Sequence, residues 1–218
     1  MNILIQKWRN LKHGRKFAKL GKGCRFPGRF LEVDGHVELG DYCRIRDNVV
    51  MRTSGQGKIV FGNNSGCSYY CIFEATQLIQ IGARSAIAEF GVLRDSNHMV
   101  IGTDLHWRTT PLIARPIIIG TDCLIGSRCY ILPGVTIGDG AVIQAGSVVD
   151  KNVGPYEVWA GNPARRVCHR TENIPERLRR ECEELIAQYG VKKDRHGVDP
   201  RARQHQEEDA GPGEGNGP

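Results

Sequence analysis

Aliphatic residues recur at a strict six-residue interval between positions 119 and 149. The residues at this interval are Ile119, Ile125, Ile131, Ile137, Ile143 and Val149. A period of six fits neither the 3.6-residue turn of an α-helix nor the two-residue alternation of an ordinary strand. Short repeats with one aliphatic each are typical of a β-solenoid, with Gly, Asn or Asp expected in the turns. The sequence therefore predicts an all-β solenoid of triangular coils, in which each aliphatic stacks on the one 18 residues later.

The repeats extend over a larger part of the chain, with interruptions. They run through residues 33–170, and two stretches without the period, 54–58 and 95–116, are predicted loops. The second is about 20 residues long, and a loop of that length inside a compact domain usually serves a function. The predicted domains are a basic N-terminal segment or cap (1–32), the solenoid (33–170), a C-terminal α-helix (171–194) and a disordered tail (195–218).

Positive charge is concentrated at the N-terminus. The net charge is +6, yet residues 1–31 hold nine Lys and Arg and no acid, which leaves 21 Lys and Arg against 24 Asp and Glu elsewhere. A predicted helix over 2–20 carries four apolar residues among these charges: Ile5, Trp8, Leu11 and Leu20. It could lie on a membrane surface and bring the protein to a lipid-linked substrate, as a peripheral membrane contact. A helix that caps the first coil is favoured, because a solenoid needs a cap over its end.

Composition also limits partners and location. No apolar run predicts a transmembrane helix, and the N-terminus lacks the order of a secretory signal. The eight cysteines form no CxxC pair with a second pair at zinc spacing, so we expect reduced thiols, no metal and a cytoplasmic protein. Nothing resembles a nucleic-acid-reading module, so no nucleic-acid partner is expected.

Three further motifs strengthen the pattern. They are Pro133-Gly134-Val135-Thr136-Ile137-Gly138, Ala145-Gly146-Ser147-Val148-Val149 and Ala160-Gly161-Asn162-Pro163-Ala164. Together with the repeats, they resemble the hexapeptide-repeat acyltransferases, and within that family the sugar O-acetyltransferase branch. This resemblance implies a left-handed parallel β-helix, a homotrimer, acetyl-CoA as donor, and an active site between neighbouring subunits.

The resemblance also implies a catalytic histidine in a loop after the middle coils, where His98 lies. A sugar hydroxyl is a poor nucleophile at neutral pH, so a base must take its proton as it attacks the thioester carbonyl. An imidazole suits that work, because its ordinary pKa is near 6.5. Asp95 either orients this imidazole or caps a turn, as Asp often does. His106 is the competing base in the same loop.

Other site residues follow from position in the family pattern. The implied donor contacts are Gly126, Ser127, Ala145, Gly146, Lys151 and Arg165. Lys and Arg can meet the negative charges of CoA. The predicted acceptor contacts are Ser68, Glu74, Asn97, His106, Trp107 and Arg108. Ser68 and Glu74 fall near the places where the galactoside and maltose enzymes hold their acceptor with Asn and Asp, so the acceptor is left open.

The favoured function is acetyl transfer from acetyl-CoA to a saccharide hydroxyl by direct attack, in surface-polysaccharide biosynthesis. Alternatives on the same fold are N-acetylation of an amino sugar and transfer to an antibiotic, and Glu89 or Asp95 beside His98 would suit either. A γ-class carbonic anhydrase would need three histidines around zinc, and the repeats hold none between His106 and His169. A non-enzymatic solenoid is disfavoured by the presence of His98 and the basic residues Lys151 and Arg165.

Overall fold

Most of the regular elements of the chain are short strands. A computed structural model describes residues 3–99, 106–172 and 176–189. The first elements are α1 (Ile3–Gly14), β1 (Lys19–Leu20), β2 (Leu31–Asp34), β3 (Val37–Leu39), β4 (Arg44–Ile45), β5 (Val49–Thr53), β6 (Lys58–Phe61), β7 (Gly66–Cys67), β8 (Ile72–Ala75), β9 (Leu78–Ile81), β10 (Ala86–Ile87) and β11 (Val92–Arg94). The long loop contributes β12 (Ser96–His98), a 3-10 turn (Trp107–Thr109) and β13 (Leu112–Ala114). The remaining elements are β14 (Ile117–Ile119), β15 (Leu124–Ile125), β16 (Tyr130–Ile131), β17 (Thr136–Ile137), β18 (Val142–Ile143), β19 (Val148–Val149), β20 (Glu157–Gly161), β21 (Ala164–His169) and α2 (Glu176–Tyr189).

These strands form three sheets around one core. Sheet A has the order β1-β3-β6-β9-β14-β17, sheet B the order β4-β7-β10-β15-β18-β20-β21, and sheet C the order β2-β5-β8-β11-β16-β19. Each full coil therefore passes from sheet C to sheet A to sheet B. Neighbouring strands pair in parallel, except that β21 is antiparallel to β20, and β12 and β13 form an antiparallel hairpin. The predicted left-handed parallel β-helix is confirmed.

The predicted stacking of aliphatics one coil apart is also confirmed. The paired residues are Ile119 with Ile137, Ile125 with Ile143, and Ile131 with Val149. All six side chains are buried. Burial of an aliphatic side chain of this size contributes about 1.5–3 kcal/mol to the free energy of unfolding. The six-residue register is therefore the main source of core stability in this segment.

The first coil begins before the predicted boundary at residue 33. Strand β1 pairs with β3, Arg25 pairs with Arg44, and β2 pairs with β5, so residues 19–34 already form a coil. Backbone hydrogen bonds form the parallel ladder, and they do not depend on the identity of the side chains. These residues can therefore form a coil without the aliphatic repeat. Of the predicted N-terminal segment 1–32, only the part before Lys19 therefore lies outside the solenoid.

The corners between sheets A and B and between sheets B and C carry left-handed backbone angles. Nine non-glycine residues of the described chain have φ between 57° and 60°, including Tyr70, Phe90 and Arg128 at successive B–C corners. The expectation of only Gly, Asn or Asp at turns is therefore wrong here. The ladder stabilises these angles, because the Arg128 N–H donates to the Glu89 carbonyl at 2.8 Å in the coil before it.

The chain divides into two compact units, residues 1–172 and residues 173–218. The second unit contains α2, which begins at Glu176 and ends at Tyr189. The predicted disordered tail, 195–218, lies outside the described residues. Seven cysteines are described as free thiols, and six of them are buried. Within the described ranges, no helix is long and apolar enough to cross a bilayer.

Candidate active site

Between Val33 and Ile137, every departure from the six-residue period falls at the corner where sheet C leads into sheet A. The core residues that flank this corner are Val33 and Leu39, Met51 and Phe61, Phe73 and Ile81, Leu93 and Ile119, and Ile131 and Ile137. Their separations are 6, 10, 8, 26 and 6 residues. Between Val33 and Ile137, the other two corners keep the interval of six. The insertions therefore accumulate along one edge of the solenoid, the C–A corner, and the largest of them is the loop with His98.

Asp95 attaches the start of this loop to the preceding coil. Its carboxylate is fully buried and accepts the backbone N–H groups of Thr76, Gln77 and Leu78 at 2.8, 2.7 and 2.8 Å. Hydrogen bonds of this kind offset the cost of burying a charge. Of the two interpretations of Asp95, the structure shows the turn cap. Its carboxylate does not orient the imidazole of His98, whose described partner lies elsewhere.

His98 ends strand β12 and is exposed on the C–A corner. Its Nδ1 lies 3.3 Å from the carbonyl oxygen of Thr110, on the far side of the hairpin. A carbonyl oxygen only accepts hydrogen bonds, so Nδ1 must donate, and the neutral ring then presents Nε2 as its acceptor. This is the tautomer that a general base needs, with the accepting nitrogen away from the hairpin.

His106 has the opposite arrangement. Its Nδ1 accepts the backbone N–H of Arg108 at 3.2 Å and caps the 3-10 turn. In the neutral ring the proton must then reside on Nε2. A nitrogen that already carries a proton cannot take another from a substrate. Geometry therefore favours His98 over His106 as the base.

Trp107 contacts three other predicted residues of the loop: His98, His106 and Arg108. Its ring meets the His98 ring edge-on, with centroids 5.4 Å apart, and stacks on His106 at 5.9 Å. The guanidinium of Arg108 lies 5.1 Å from the Trp107 ring centroid, a cation–π distance. Asn97 is exposed, but neighbouring residues of a strand alternate between faces, so its side chain projects away from the His98 face. The structure thus gathers three of the four predicted loop contacts around His98.

A second group of predicted residues lies at the B–C corner. Glu89 accepts the Ser68 hydroxyl at 2.6 Å with Oε1 and the Ser127 hydroxyl at 2.9 Å with Oε2. The Ser68 hydroxyl is the main cause that lowers the pKa of Glu89, followed by the Glu89 backbone N–H and the Ser127 hydroxyl. Glu89 therefore connects a predicted acceptor residue with a predicted donor residue, and it lies at a different corner from His98. Within one chain, Glu89 and His98 therefore do not meet.

The remaining predicted donor residues of the repeats continue this B–C edge. A Cβ at Gly126 would lie 2.6 Å from the backbone nitrogen of Ala145, so only glycine fits. The N–H of Gly146 donates to the Ser127 carbonyl at 2.8 Å, and its φ is 75°. A Cβ at Gly146 would have no atom within 4 Å. The edge is therefore open to solvent at Gly146, where a ligand can approach the backbone.

The remaining charged residues of the predicted site are Lys151, Arg165 and Glu74. Lys151 is exposed just after β19, and Arg165 of β21 pairs with Asp150 at 3.0 Å. Glu74 lies on sheet C, where its carboxylate forms ion pairs with Arg52 at 3.7 Å and with Arg94. These ion pairs place Glu74 in a charge ladder between coils, and the structure does not bring it to either corner.

The predicted site is thus divided between the two edges of sheet C. The loop residues and Lys151 lie at the C–A corner, and Ser68, Ser127 and Gly146 lie at the B–C corner. The period alone does not indicate the link through Glu89, because the long loop between Leu93 and Ile119 separates Glu89 from Ser127 and conceals that they occupy equivalent places in successive coils. Among the described residues, no cluster of His, Cys, Asp or Glu could hold a metal ion.

Comparison with known proteins agrees with this architecture. Residues 116–151 match the family model described as the hexapeptide repeat of succinyl-transferase. The protein named as the colanic acid biosynthesis acetyltransferase WcaF of Escherichia coli K12 is 29% identical over 170 residues, which are 78% of this chain and 79% of WcaF. Together these matches support a hexapeptide-repeat acyltransferase.

Two solved structures resemble this chain. A maltose O-acetyltransferase from Clostridium difficile 630 is 29% identical, with a TM-score of 0.50 over 70% of this chain and 71% of that one. AntD, an N-acyltransferase from Bacillus cereus in complex with dTDP and 3-hydroxybutyryl-CoA, has a TM-score of 0.64 over 83% of this chain and 96% of that one. At 18% identity, AntD shows a likeness of fold alone.

Proposed function

We propose that the protein transfers an acetyl group from acetyl-CoA to a hydroxyl of a saccharide, in surface-polysaccharide biosynthesis. The observation that supports this most directly is the hydrogen bond of His98 Nδ1 to the Thr110 carbonyl, which makes Nε2 the accepting nitrogen. Similarity to WcaF and to the maltose O-acetyltransferase supports a saccharide as acceptor. Free, mostly buried cysteines accord with a cytoplasmic location, which is part of this proposal.

The proposed reaction needs one base and no acyl-enzyme. The acceptor hydroxyl gives its proton to His98 Nε2 as its oxygen attacks the carbonyl carbon of the thioester. Backbone N–H groups stabilise the oxyanion of the tetrahedral intermediate. The C–S bond then breaks, and the imidazolium returns the proton to the departing thiolate. The products are an acetyl ester and free CoA.

We also propose that the complete site forms between two subunits of a homotrimer. His98 and Trp107 on the C–A corner of one subunit would face Ser127 and Gly146 on the B–C corner of the next. Two observations support this: the predicted residues occupy opposite edges of sheet C, and Gly146 has open space around it. The pantetheine arm would follow that edge, and Lys151 and Arg165 would meet the phosphates of CoA.

N-acetylation of an amino sugar is the second candidate, and Glu89 is the observation that favours it. The hydroxyls of Ser68 and Ser127 lower the pKa of this half-buried carboxylate, so it is ionised at neutral pH. An ionised carboxylate at the donor edge could hold the ammonium group of an amino sugar before transfer.

Product chemistry distinguishes the two candidates. The purified protein is given acetyl-CoA with neutral sugars, amino sugars, nucleotide sugars and lipid-linked saccharides, and thiol release is followed. Mild hydroxylamine removes an O-acetyl ester and leaves an N-acetyl amide. A hydroxylamine-labile product that depends on His98 supports the first function, and a stable product supports the second. Thiol release that persists in His98→Ala would contradict the proposed base in both.

A further inference from the structure

Helix α1 meets the solenoid through its polar face. The Gln6 amide donates to the Phe26 carbonyl at 3.3 Å, and the Asn10 side chain accepts the Phe26 N–H at 3.0 Å. His13 is buried beside Phe26, with ring centroids 6.2 Å apart. Gln6, Asn10 and His13 lie at intervals of four and three, which places them on one side of the helix. The contact face of α1 is therefore polar, the reverse of an ordinary surface helix.

The apolar residues of α1 face solvent instead. The exposed apolar side chains, between 59% and 72% accessible, are Ile3, Leu4, Trp8 and Leu11 of the helix and Phe30 of the first coil. Leu4, Trp8 and Leu11 follow the same four-and-three spacing, so they form one stripe. A contiguous apolar surface of this kind marks an interaction site in a folded protein. We name these five residues the N-terminal apolar face.

Basic residues border this face. A recess of about 610 Å³ between α1 and the first coil is lined by Leu4, Ile5, Trp8, Arg9, Lys12, Arg29 and Phe30. The Lys12 ammonium lies 5.1 Å from the centroid of the Trp8 ring. Residues 1–31 contain nine Lys and Arg and no acid. The surface therefore combines exposed aromatic and aliphatic groups with an excess of positive charge in the local sequence, of which Asp47 of a neighbouring coil meets only a part.

We infer that the N-terminal apolar face docks on the surface of an anionic phospholipid bilayer. An interfacial helix inserts its apolar side to the depth of the headgroups, and its Lys and Arg meet anionic lipids. Trp8 suits the headgroup level because an indole has an apolar body and a polar N–H. Pairing with the same face of a second copy is disfavoured, because a twofold contact would set basic residues against basic residues.

Docking at this end would bring the candidate active site close to the membrane. Strands β2 and β11 are three places apart in sheet C, which corresponds to about 14 Å along the solenoid. The loop with His98 leaves directly after β11, so it would stand within reach of a saccharide attached to a membrane lipid. This consequence rests on the proposed function, whereas the bilayer binding does not.

Vesicle sedimentation of the full-length protein tests the inference. Phosphatidylcholine vesicles with and without phosphatidylglycerol are compared at low salt and at about 1 M salt, where the Debye length falls to about 3 Å. We expect binding that requires phosphatidylglycerol and weakens at high salt, with a blue shift of tryptophan fluorescence that is absent when Trp8 is replaced. Equal binding to both vesicle types, or binding to neither, would overturn the inference.

Matched variants locate the contact. Trp8→Glu with Leu11→Glu should lower vesicle affinity by at least about tenfold, since each removes a buried apolar side chain from the bilayer. Lys12→Glu should lower it by about fivefold or more. Val167→Glu and Lys58→Glu, at exposed positions on β21 and β6, should have no effect. Light scattering is recorded for each variant. Loss of the native oligomer in Trp8→Glu/Leu11→Glu would show that the face is a subunit contact and would refute bilayer docking.

Discussion

The Nδ1 of His98 donates to the carbonyl oxygen of Thr110 across the hairpin of β12 and β13. This contact couples the tautomer of His98 to the backbone that leads from the 3-10 turn into β13. Thr110 is itself buried and donates its hydroxyl to the Trp107 carbonyl at 2.8 Å. The accepting nitrogen of His98 is therefore held by the same loop structure that positions Trp107.

His98→Ala is expected to lower the rate of acetyl transfer by about 10²–10⁴-fold, because a general base contributes about that much. CoA binding, measured by calorimetry, should persist. His106→Ala should keep most activity, because its Nδ1 serves as a backbone cap and its Nε2 carries the proton. An equal loss in both variants, or a loss only in His106→Ala, would assign the base to another residue.

Asp95→Ala should destabilise the protein by about 2–4 kcal/mol, since three backbone N–H groups lose a charged acceptor. Asp95→Asn should lose less, because its amide oxygen can still accept. The matched control is Asp122→Asn, which breaks an exposed pair with Arg84 worth at most about 1 kcal/mol. Chemical denaturation measures the free energy of unfolding of all three variants. An unchanged free energy of unfolding in Asp95→Ala would show that water replaces the carboxylate in the turn.

Ile131→Asp is expected to prevent folding, whereas Arg128→Asp is tolerated. Ile131 is fully buried and pairs with Leu93 in one neighbouring coil and Val149 in the other. An unpaired carboxylate there costs several kcal/mol, out of the roughly 5–15 kcal/mol that a domain has. Arg128 is exposed at a corner with φ of 58°, an angle that Asp accepts. Circular dichroism and size-exclusion chromatography compare the variants. The opposite result, with Arg128→Asp aggregated, would refute the register.

Acid should loosen the contact of α1 with the solenoid. Burial lowers the pKa of His13, and the charges of Lys16 and Lys12 lower it further, against the smaller opposing effects of the Gly28 backbone and the Asp47 charge. Below the ordinary pKa near 6.5, the unfolded state therefore binds a proton that the folded state does not, and stability falls as pH falls. His13→Leu should remove this part of the pH dependence of Tm, and His106→Ala should not. An unchanged profile in His13→Leu would contradict this.

Much of the fold could be predicted from the sequence because a solenoid repeats one environment. Each residue's place in the six-residue unit decides whether it faces the core, so Ile119 and Ile137 could be assigned to one stack without any knowledge of distant contacts. The start of the first coil at Lys19 was not predictable in this way, because backbone pairing there has no aliphatic signature.

The sequence by itself determined the repeat, the core register and the loop that contains His98. Only the tertiary structure decided which corner each residue occupies and which partner it meets. Asp95 could have faced His98 or the turn at Thr76, and Glu89 could have met His98 or Ser127. The same holds for α1, whose pattern shows two faces but not which one meets the solenoid. Such choices depend on contacts between residues far apart in sequence, and local periodicity carries no information about them.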